Sequence, residues 1–416
     1  MIKKLLYYYK NSKFLKDNII LSIGALISGI LGFAFHFYMG RTLGPANYSV
    51  LGVILSISYI MNIGLNALQT SATKFVSEFN VKKEYSKISY LINQSIKKLT
   101  IYGIILLVIF ILITPLLSKF LHIKITPLLL ISLCIIFLLL LPINRGSLQG
   151  LQRFKGLSLN LIIEGTVKLF GGILLVFLGL GVNGAIISIV LSYVISFFAG
   201  FYPIGDIIRR KKKKFNTKEI YKFSIPVLIT LISLTLIFSM DIILVKHFFN
   251  EIEAGYYVAS SILAKIIFFA TLSISQVMFP KVSELHNQNK KHKHLLIKSL
   301  LIGLIIIIPT IIIYYLFPKL IISILFGKEF LPITRYIGPF AIIIGLYSLI
   351  YMMAFYKLSI NKKKFIYILI LFNVIQVILI ILFHSSIMQV INVLIIYMLI
   401  LFTIMFSLTI QNSKYG

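Results

Sequence analysis

The stretch RRKKKKFNTKEIYK occupies residues 209–222 and lies near the middle of the 416-residue chain, with long apolar stretches on both sides. Each Lys or Arg placed in the hydrocarbon core of a bilayer costs about 2.5 to 3.5 kcal/mol even on the mildest scale, so this stretch must lie outside the membrane. It therefore predicts a basic linker that joins two membrane-embedded halves.

The composition is that of a membrane protein. Hydrophobic residues make up 59% of the chain and charged residues only 12%, and the mean hydropathy is +0.99, which is far from the composition of a soluble domain. A formal net charge of +30 would suggest nucleic-acid binding in a soluble protein. Here the Lys and Arg residues stand between apolar runs, so the charge indicates membrane orientation and no nucleic-acid partner.

Motifs that would carry a cofactor or a metal are not found. The single cysteine, Cys134, lies in an apolar run, which excludes a disulfide framework and a thiolate metal site. His286, His292 and His294 lie in a Lys-rich loop at spacings that match no zinc pattern. Nucleotide-binding and nucleophile motifs are also missing from the sequence. We therefore expect no cofactor, no metal and no catalytic residues.

Twelve apolar runs approach or exceed the length of about twenty residues that a helix needs to cross a bilayer. They fall at about residues 18–40, 48–69, 99–118, 126–143, 158–180, 183–205, 223–248, 255–279, 296–317, 332–356, 365–383 and 387–410. Since no small-residue cleavage site follows the first run, we interpret it as a retained span and not as a signal peptide.

The distribution of basic residues predicts the orientation. If the N-terminus and every second gap face the cytoplasm, most of the 41 Lys and Arg residues fall on that side. The outer side receives only Arg41, Lys119, Lys124, Lys246, Lys319, Lys328 and Arg335. We therefore expect a multi-pass protein of the cytoplasmic membrane with both termini in the cytoplasm. The short outer gaps argue against an enzyme such as a membrane-embedded glycosyltransferase, which needs a sizeable outer loop.

The expected organisation has five parts, with the linker between two lobes of six spans each. These are a cytoplasmic N-terminal segment at 1–17, an N-terminal lobe at 18–205, the linker at 206–222, a C-terminal lobe at 223–410 and a cytoplasmic tail at 411–416.

The two halves of the chain resemble each other. Ala46-Asn47-Tyr48 is echoed by Ala254-Gly255-Tyr256, and Val76-Ser77-Glu78 is echoed by Val282-Ser283-Glu284 at nearly the same offset. Six spans separate the copies, so both halves enter the membrane from the same side. Parallel repeats of this kind are typical of transporters that alternate access around a central site.

Besides the repeat, a series of short motifs lies between about residues 15 and 360. It comprises Arg41 to Tyr48, Leu148 to Phe154, Phe223-Ser224-Ile225-Pro226, Asp241, Ala254-Gly255-Tyr256, Pro280 with Ser283-Glu284, and Phe326 to Phe330. In these motifs the chain resembles the polysaccharide and O-antigen flippases of the multidrug/oligosaccharidyl-lipid/polysaccharide exporter superfamily.

The resemblance implies an all-α polytopic fold with two six-helix lobes around a central cavity. It implies a transporter that flips polyisoprenoid-(di)phosphate-linked oligosaccharides from the cytoplasmic to the outer leaflet for cell-surface polysaccharide or glycan biosynthesis, with membrane lipids as further partners. The chain departs from some relatives by ending after twelve spans, and its first span lacks the acidic residue of many cation-coupled drug exporters. A cation-coupled small-molecule or multidrug exporter of the same fold is the alternative.

Charged residues inside predicted spans are the sharpest candidates for a site, because each is costly without a partner or water. Glu164 and Lys168 are four residues apart in the fifth span, with the Glu first, which is the favourable order for an ion pair. Lys168 falls near the middle of the bilayer. The two residues could neutralise each other, or Lys168 could point into the cavity and bind a substrate phosphate.

Lys265 in the eighth span has no acidic residue within one helical turn, and it shares a helical face with Gln276. We expect Lys265 to bind an anionic head group, because an anion that leaves water needs compensating positive charge. Asp241 in the seventh span either pairs with one of the two lysines or binds a proton or sodium ion that drives transport.

Polar residues at the remaining candidate positions have two readings each. Arg41 ends the first span as an interfacial anchor or as a substrate clamp. Asn62, Asn66 and Gln69 form one amide stripe, which either bonds neighbouring helices or contacts sugar hydroxyls in the cavity.

Overall fold

The computed structural model describes the backbone of residues 13–210, 213 and 218–411, and the side chains of these residues except 13–18, 62–67, 218–227, 287 and 410–411. Most of the predicted basic linker and nearly all of both predicted terminal segments lie outside the described residues, as do the side chains of Phe223-Ser224-Ile225-Pro226.

Every regular element in the described part of the chain is helical. The first seven α-helices are α1 (Lys13–Val81), α2 (Tyr85–Leu121), α3 (Ile125–Ser132), α4 (Cys134–Gly150), α5 (Phe154–Leu175), α6 (Gly181–Ala199) and α7 (Gly205–Ile208). The next seven are α8 (Lys218–Phe248), α9 (Glu251–Asn287), α10 (Lys293–Leu316), α11 (Pro318–Leu325), α12 (Thr334–Ser359), α13 (Phe365–Leu382) and α14 (Ile387–Gln411). A π-helical segment, Val176–Leu180, and two 3₁₀ segments, Tyr202–Ile204 and Lys328–Ile333, complete the set.

Two long helical stretches each hold two membrane crossings. Among the described residues ten stretches are long and apolar enough to span a bilayer, and two of them, Ile19–Met61 and Phe154–Ile208, have 43 and 55 residues. At 1.5 Å per residue, either stretch is about twice as long as the roughly 30 Å hydrocarbon core or longer. Counting each as two crossings gives the twelve spans that the sequence predicts, and the all-α polytopic fold is confirmed.

Glycine residues provide the bends. Within α1, Gly44 has φ 69° and ψ 171°, a conformation that costs a side-chain-bearing residue strain, and Pro45 follows. Proline suits the first position of the helix that continues after the bend, because its missing N–H would have no helical partner there. Gly179 and Gly181 have φ of 86° and 52° and separate α5 from α6.

The chain forms two compact units. Unit 1 comprises the described residues up to Thr42 together with Met61–Leu228, and unit 2 comprises Leu43–Ile60 with the described residues from Ile229 onwards.

In unit 1, close packing of α1 on α4 depends on two glycines. A Cβ added at Gly146 would lie 2.6 Å from the carbonyl oxygen of Gln69, and one added at Gly150 would lie 2.7 Å from that of Thr73. Around this contact a core of buried residues joins α1, α2 and α4, with Val76, Ile88 and Leu148 fully buried. Such small residues allow helix backbones to approach closely in membranes, where packing drives association.

Unit 2 is organised around α9 and α12. Tyr257 of α9 packs edge-on against Phe340 of α12, with ring centroids 4.8 Å apart. Gly255 lies against the start of the helix after the α1 bend, so that an added Cβ would lie 2.0 Å from the carbonyl oxygen of Pro45. Aromatic and small residues thus bring α9 into contact with several neighbours.

Candidate functional site

Unit 1 contains an ion pair between α4 and α5. Arg145 of α4 donates through Nε to Oδ1 of Asn160 at 2.8 Å, and its Nη2 contacts Oε2 of Glu164. Asn160 in turn donates to the carbonyl oxygen of Ser196 of α6 at 2.6 Å. The pair is partly accessible to water, with the side chains of Arg145 and Glu164 14% and 23% exposed. Three helices are therefore joined by one polar network.

Lys168 does not form the ion pair with Glu164 that the spacing favoured, because the carboxylate is held by Arg145. Its ammonium lies 4.7 Å from the centroid of the Phe35 ring on α1, and the residue is partly exposed. A cation over an aromatic face is stabilised by the ring quadrupole, which carries no formal charge to neutralise it. Among the described residues, Arg145, Glu164 and Lys168 thus leave one positive charge in excess.

The amide stripe of α1 is only partly described. Gln69 donates to Oε1 of Gln149 on α4 at 3.4 Å, and the hydroxyl of Thr73 donates to the same oxygen at 3.3 Å. This contact bonds two helices, as one of the two readings of the stripe requires. The side chains of Asn62 and Asn66 lie outside the described residues.

Unit 2 contains a buried acidic residue on α8. Asp241 is 7% exposed, and its Oδ2 accepts a hydrogen bond of 2.8 Å from the hydroxyl of Tyr257 on α9. Its other oxygen, Oδ1, has no hydrogen-bond partner among the described residues. A buried carboxylate with a free oxygen is costly unless positive charge is near.

Lys265 lies two turns after Tyr257 on α9 and supplies that charge. It is 1% exposed, and its ammonium lies 4.1 Å from the centroid of the Phe238 ring, three residues before Asp241 on α8. Lys265 and Asp241 attract each other electrostatically, but the ammonium has no hydrogen-bond partner among the described residues. The two opposite charges face the same buried space without a direct ion pair.

The remaining candidates lie at exposed positions. Arg41 is exposed on α1, shortly before the bend at Gly44, and Gln276 is exposed on α9. Among the described residues no group of three or more His, Cys, Asp or Glu side chains could hold a metal ion.

Sequence reasoning missed Arg145 and Asn160 as members of the site. Arg145 counted only as a cytoplasmic loop charge, although it lies within α4. A signal was present, because Asn160, Glu164 and Lys168 follow each other at intervals of four residues and therefore share one face of a helix. Such a polar face inside a span needs a partner from another helix.

The fold is shared with helical membrane transporters of known structure. An inward-facing multidrug resistance transporter of the MATE family and MOP superfamily superimposes with a TM-score of 0.78 at 12% identity, covering 95% of this chain and 99% of that one. The lipid II flippase MurJ, in an inward closed conformation, superimposes with a TM-score of 0.74 at 17% identity, covering 95% and 88%. At these identities the likeness establishes the fold.

The family follows from the sequence match. Residues 38–335 match the family described as "Polysaccharide biosynthesis protein", and the chain belongs to this family. An uncharacterised membrane protein of Methanocaldococcus jannaschii is 29% identical over 293 residues, which are 65% of this chain and 68% of that protein. A probable low-salt glycan biosynthesis flippase of Haloferax volcanii is 23% identical over 162 residues, 38% of this chain and 34% of that protein. The family resemblance of the sequence motifs is confirmed.

Proposed function

We propose that this protein moves lipid-linked oligosaccharides from the cytoplasmic to the outer leaflet by alternating access, for the biosynthesis of cell-surface polysaccharide or glycan. Membership of the polysaccharide biosynthesis family supports this function. So do the flippase name of the Haloferax volcanii relative and the fold shared with the lipid II flippase. On this proposal the protein is a transporter and not an enzyme.

The orientation belongs to the same proposal. We place the protein in the cytoplasmic membrane with both termini in the cytoplasm, because most of its 41 Lys and Arg residues then lie on the cytoplasmic side. On this proposal the lipid-linked oligosaccharide is assembled on the cytoplasmic side. Its carrier, a polyisoprenoid phosphate or diphosphate, lies in the inner leaflet.

The excess positive charge at Lys168 carries the proposal. A phosphate that enters a membrane-embedded site must exchange its water for fixed positive charge. In unit 1 Glu164 is occupied by Arg145, so the ammonium of Lys168 remains without a carboxylate partner within 4 Å among the described residues. Lys168 is also partly exposed, and we assign it the phosphate end of the substrate.

Lys265 has a different role on this proposal. Its burial and its attraction to Asp241 favour an internal charge balance within unit 2 over direct contact with a head group. Within unit 1, the sugar part of the substrate is assigned to the amides of Asn62, Asn66 and Gln69, whose two donors and one acceptor suit hydroxyl groups, with Arg41 at the outer end of its path.

The test is transport in proteoliposomes with a labelled polyisoprenoid-phosphate oligosaccharide. We expect the unmodified protein to move it, and Lys168→Gln to slow this movement at least about tenfold, the effect of losing one charge-assisted hydrogen bond. Lys119→Gln is the matched control, since Lys119 is an exposed lysine of the same unit. Lys265→Met tests the competing assignment, and variants are compared only where their melting temperatures show that they are folded.

A cation-coupled small-molecule exporter is the second candidate. It is favoured by Oδ1 of Asp241, which has no hydrogen-bond partner among the described residues and is available to a proton or a cation. If the protein moves no lipid-linked oligosaccharide under any ion gradient but exports cationic dyes, this second function replaces the first. Normal lipid movement by Lys168→Gln would refute the phosphate assignment alone.

A further inference from the structure

A cavity of about 230 Å³ lies in unit 1, where the turn between α1 and α2 meets the beginning of the basic linker. It is lined by Lys83, Glu84, Tyr85, Ser86, Lys87, Arg210 and Lys213. None of these residues belongs to the site within the membrane spans.

The chain holds the linker against α2 by several hydrogen bonds. The hydroxyl of Ser89 lies 3.0 Å from the carbonyl oxygen of Ile208 and 3.1 Å from that of Arg210. The backbone N–H of Lys213 donates to the carbonyl oxygen of Ser86 at 3.2 Å. The guanidinium of Arg210 lies 4.6 Å from the centroid of the Tyr85 ring. These contacts join the two segments that line the cavity, although its basic side chains come from two distant parts of the chain.

The charges around the cavity do not cancel. Lys87 contacts both carboxylate oxygens of Glu84 at 2.8 Å, which neutralises this pair. Lys83, Arg210 and Lys213 have no carboxylate oxygen within 4 Å among the described residues, and all three are exposed. The cavity also lies at the first turn of α2, whose helix dipole adds partial positive charge. The site is thus strongly positive and open to water.

We propose that this cavity binds a phosphate group, with Lys83, Arg210 and Lys213 as its cationic partners. The guanidinium of Arg210 can bind two phosphate oxygens side by side. The volume is below the roughly 300 to 1,000 Å³ of sites for drug-sized ligands, so it suits one phosphate or diphosphate group and not a whole nucleotide sugar. A bound phosphate joins the turn at Lys83 to the linker at Lys213, and it fixes the segment through which the chain leaves unit 1.

Two sources supply this chemistry, the head group of an anionic lipid and a soluble phosphate. The first experiment measures binding of radiolabelled inorganic pyrophosphate to the purified full-length protein by equilibrium dialysis at low salt. The second measures by native mass spectrometry how much phosphatidylglycerol, compared with phosphatidylcholine, stays bound. Both assays are independent of oligosaccharide transport, so the proposed function can fail without affecting them.

The variants are Lys83→Gln and Lys213→Gln, with Lys82→Gln as the matched control. Lys82 is the neighbour of Lys83, carries the same charge and pairs with Glu78, but it does not line the cavity. We expect each cavity variant to weaken binding about tenfold, with Lys82→Gln close to the unmodified protein. Binding of phosphatidylglycerol alone would support the proposal with a lipid as the source, and binding of pyrophosphate would support it with a soluble phosphate. Failure of both probes to bind, or an equal loss in Lys82→Gln, would overturn it.

Discussion

Lys168 in unit 1 and Lys265 in unit 2 both place their ammonium over a phenylalanine ring, at 4.7 Å from the centroid of Phe35 and 4.1 Å from that of Phe238. Their acidic neighbours differ. In unit 1 Glu164 is held by Arg145, whereas in unit 2 the side chain of Asp241 accepts a hydrogen bond from the neutral hydroxyl of Tyr257. The first lysine therefore adds to a local excess of positive charge, and the second balances a buried negative charge.

The difference shows how the same residue type serves two purposes in a membrane span. Lys168, which is partly exposed and shares the carboxylate of Glu164 with Arg145, is available to an anion from outside the protein. Lys265, which is 1% exposed and attracted to Asp241, compensates that buried negative charge, so the energy of burying either charge depends on the other. The two lysines differ in how deeply they are buried in the protein and in whether the neighbouring carboxylate already pairs with another cation. Depth in the membrane does not separate them.

The largest expected effect tests the charge balance in unit 2. Asp241→Asn leaves Lys265 as a buried cation without a carboxylate, and we expect it to lower the free energy of unfolding by about 3 kcal/mol. The double variant Asp241→Asn with Lys265→Met removes both charges and should recover most of this loss. The measurement is the melting temperature in detergent of both single variants and the double variant.

The double-mutant cycle gives a clear contrary outcome. If the costs of Asp241→Asn and Lys265→Met simply add, the two residues do not interact, and the comparison between the lysines fails. Couplings of about 0.5 to 3 kcal/mol are observed for residues in one salt-bridge network, and we expect the stabilising sign here.

A smaller effect is expected from the ion pair of unit 1. Glu164→Gln leaves Arg145 without its carboxylate, but both side chains are partly exposed, so water replaces much of the lost interaction. We expect a cost of about 1 kcal/mol and no loss of anionic-lipid transport, since the variant increases the positive charge near Lys168. Glu78→Gln, at the exposed pair with Lys82, is the control and should cost less. A transport defect in Glu164→Gln as large as that of Lys168→Gln would show that the carboxylate itself takes part.

The fold was largely predictable from the sequence, because the bilayer sets the length of each apolar run independently of tertiary packing. The partners of the buried charges were not. The spacing of Glu164 and Lys168 favoured a pair within one helix, yet the carboxylate of Glu164 pairs with Arg145 on α4. Likewise, Asp241 lies sixteen residues before Tyr257, and only the packing of α8 on α9 brings them together. Local periodicity identifies which residues are buried and polar, whereas the choice of partner depends on how helices pack.

The smallest expected effect concerns residues at or near the ends of the candidate membrane spans and compares the two units again. In unit 2 the buried His292, which is 4% exposed, contacts the hydroxyl of Tyr356 at 2.9 Å and Nδ1 of His286 at 3.3 Å. In unit 1 we compare it with an ion pair near the start of α5. There Arg153 contacts both carboxylate oxygens of Asp206, at 2.5 and 2.7 Å. Only the histidine contact contains groups that titrate near neutral pH.

The histidine contact of unit 2 should therefore make stability depend on pH. Burial lowers the pKa of His292 below its ordinary value of 6.5, and the positive charges of His286, Lys362 and His294 lower this pKa further. The unfolded chain then binds a proton at a higher pH than the folded chain, so acidification below about pH 6.5 favours unfolding. We expect the melting temperature to fall between about pH 7 and pH 5, by less than Glu164→Gln lowers it. In His292→Gln this fall with pH should be smaller. His122→Asn is the control in unit 1, because His122 is exposed and has a φ of 52°, which asparagine tolerates. If His122→Asn flattens the profile and His292→Gln does not, the pH-sensitive contact lies in unit 1 and the contrast between the units is reversed.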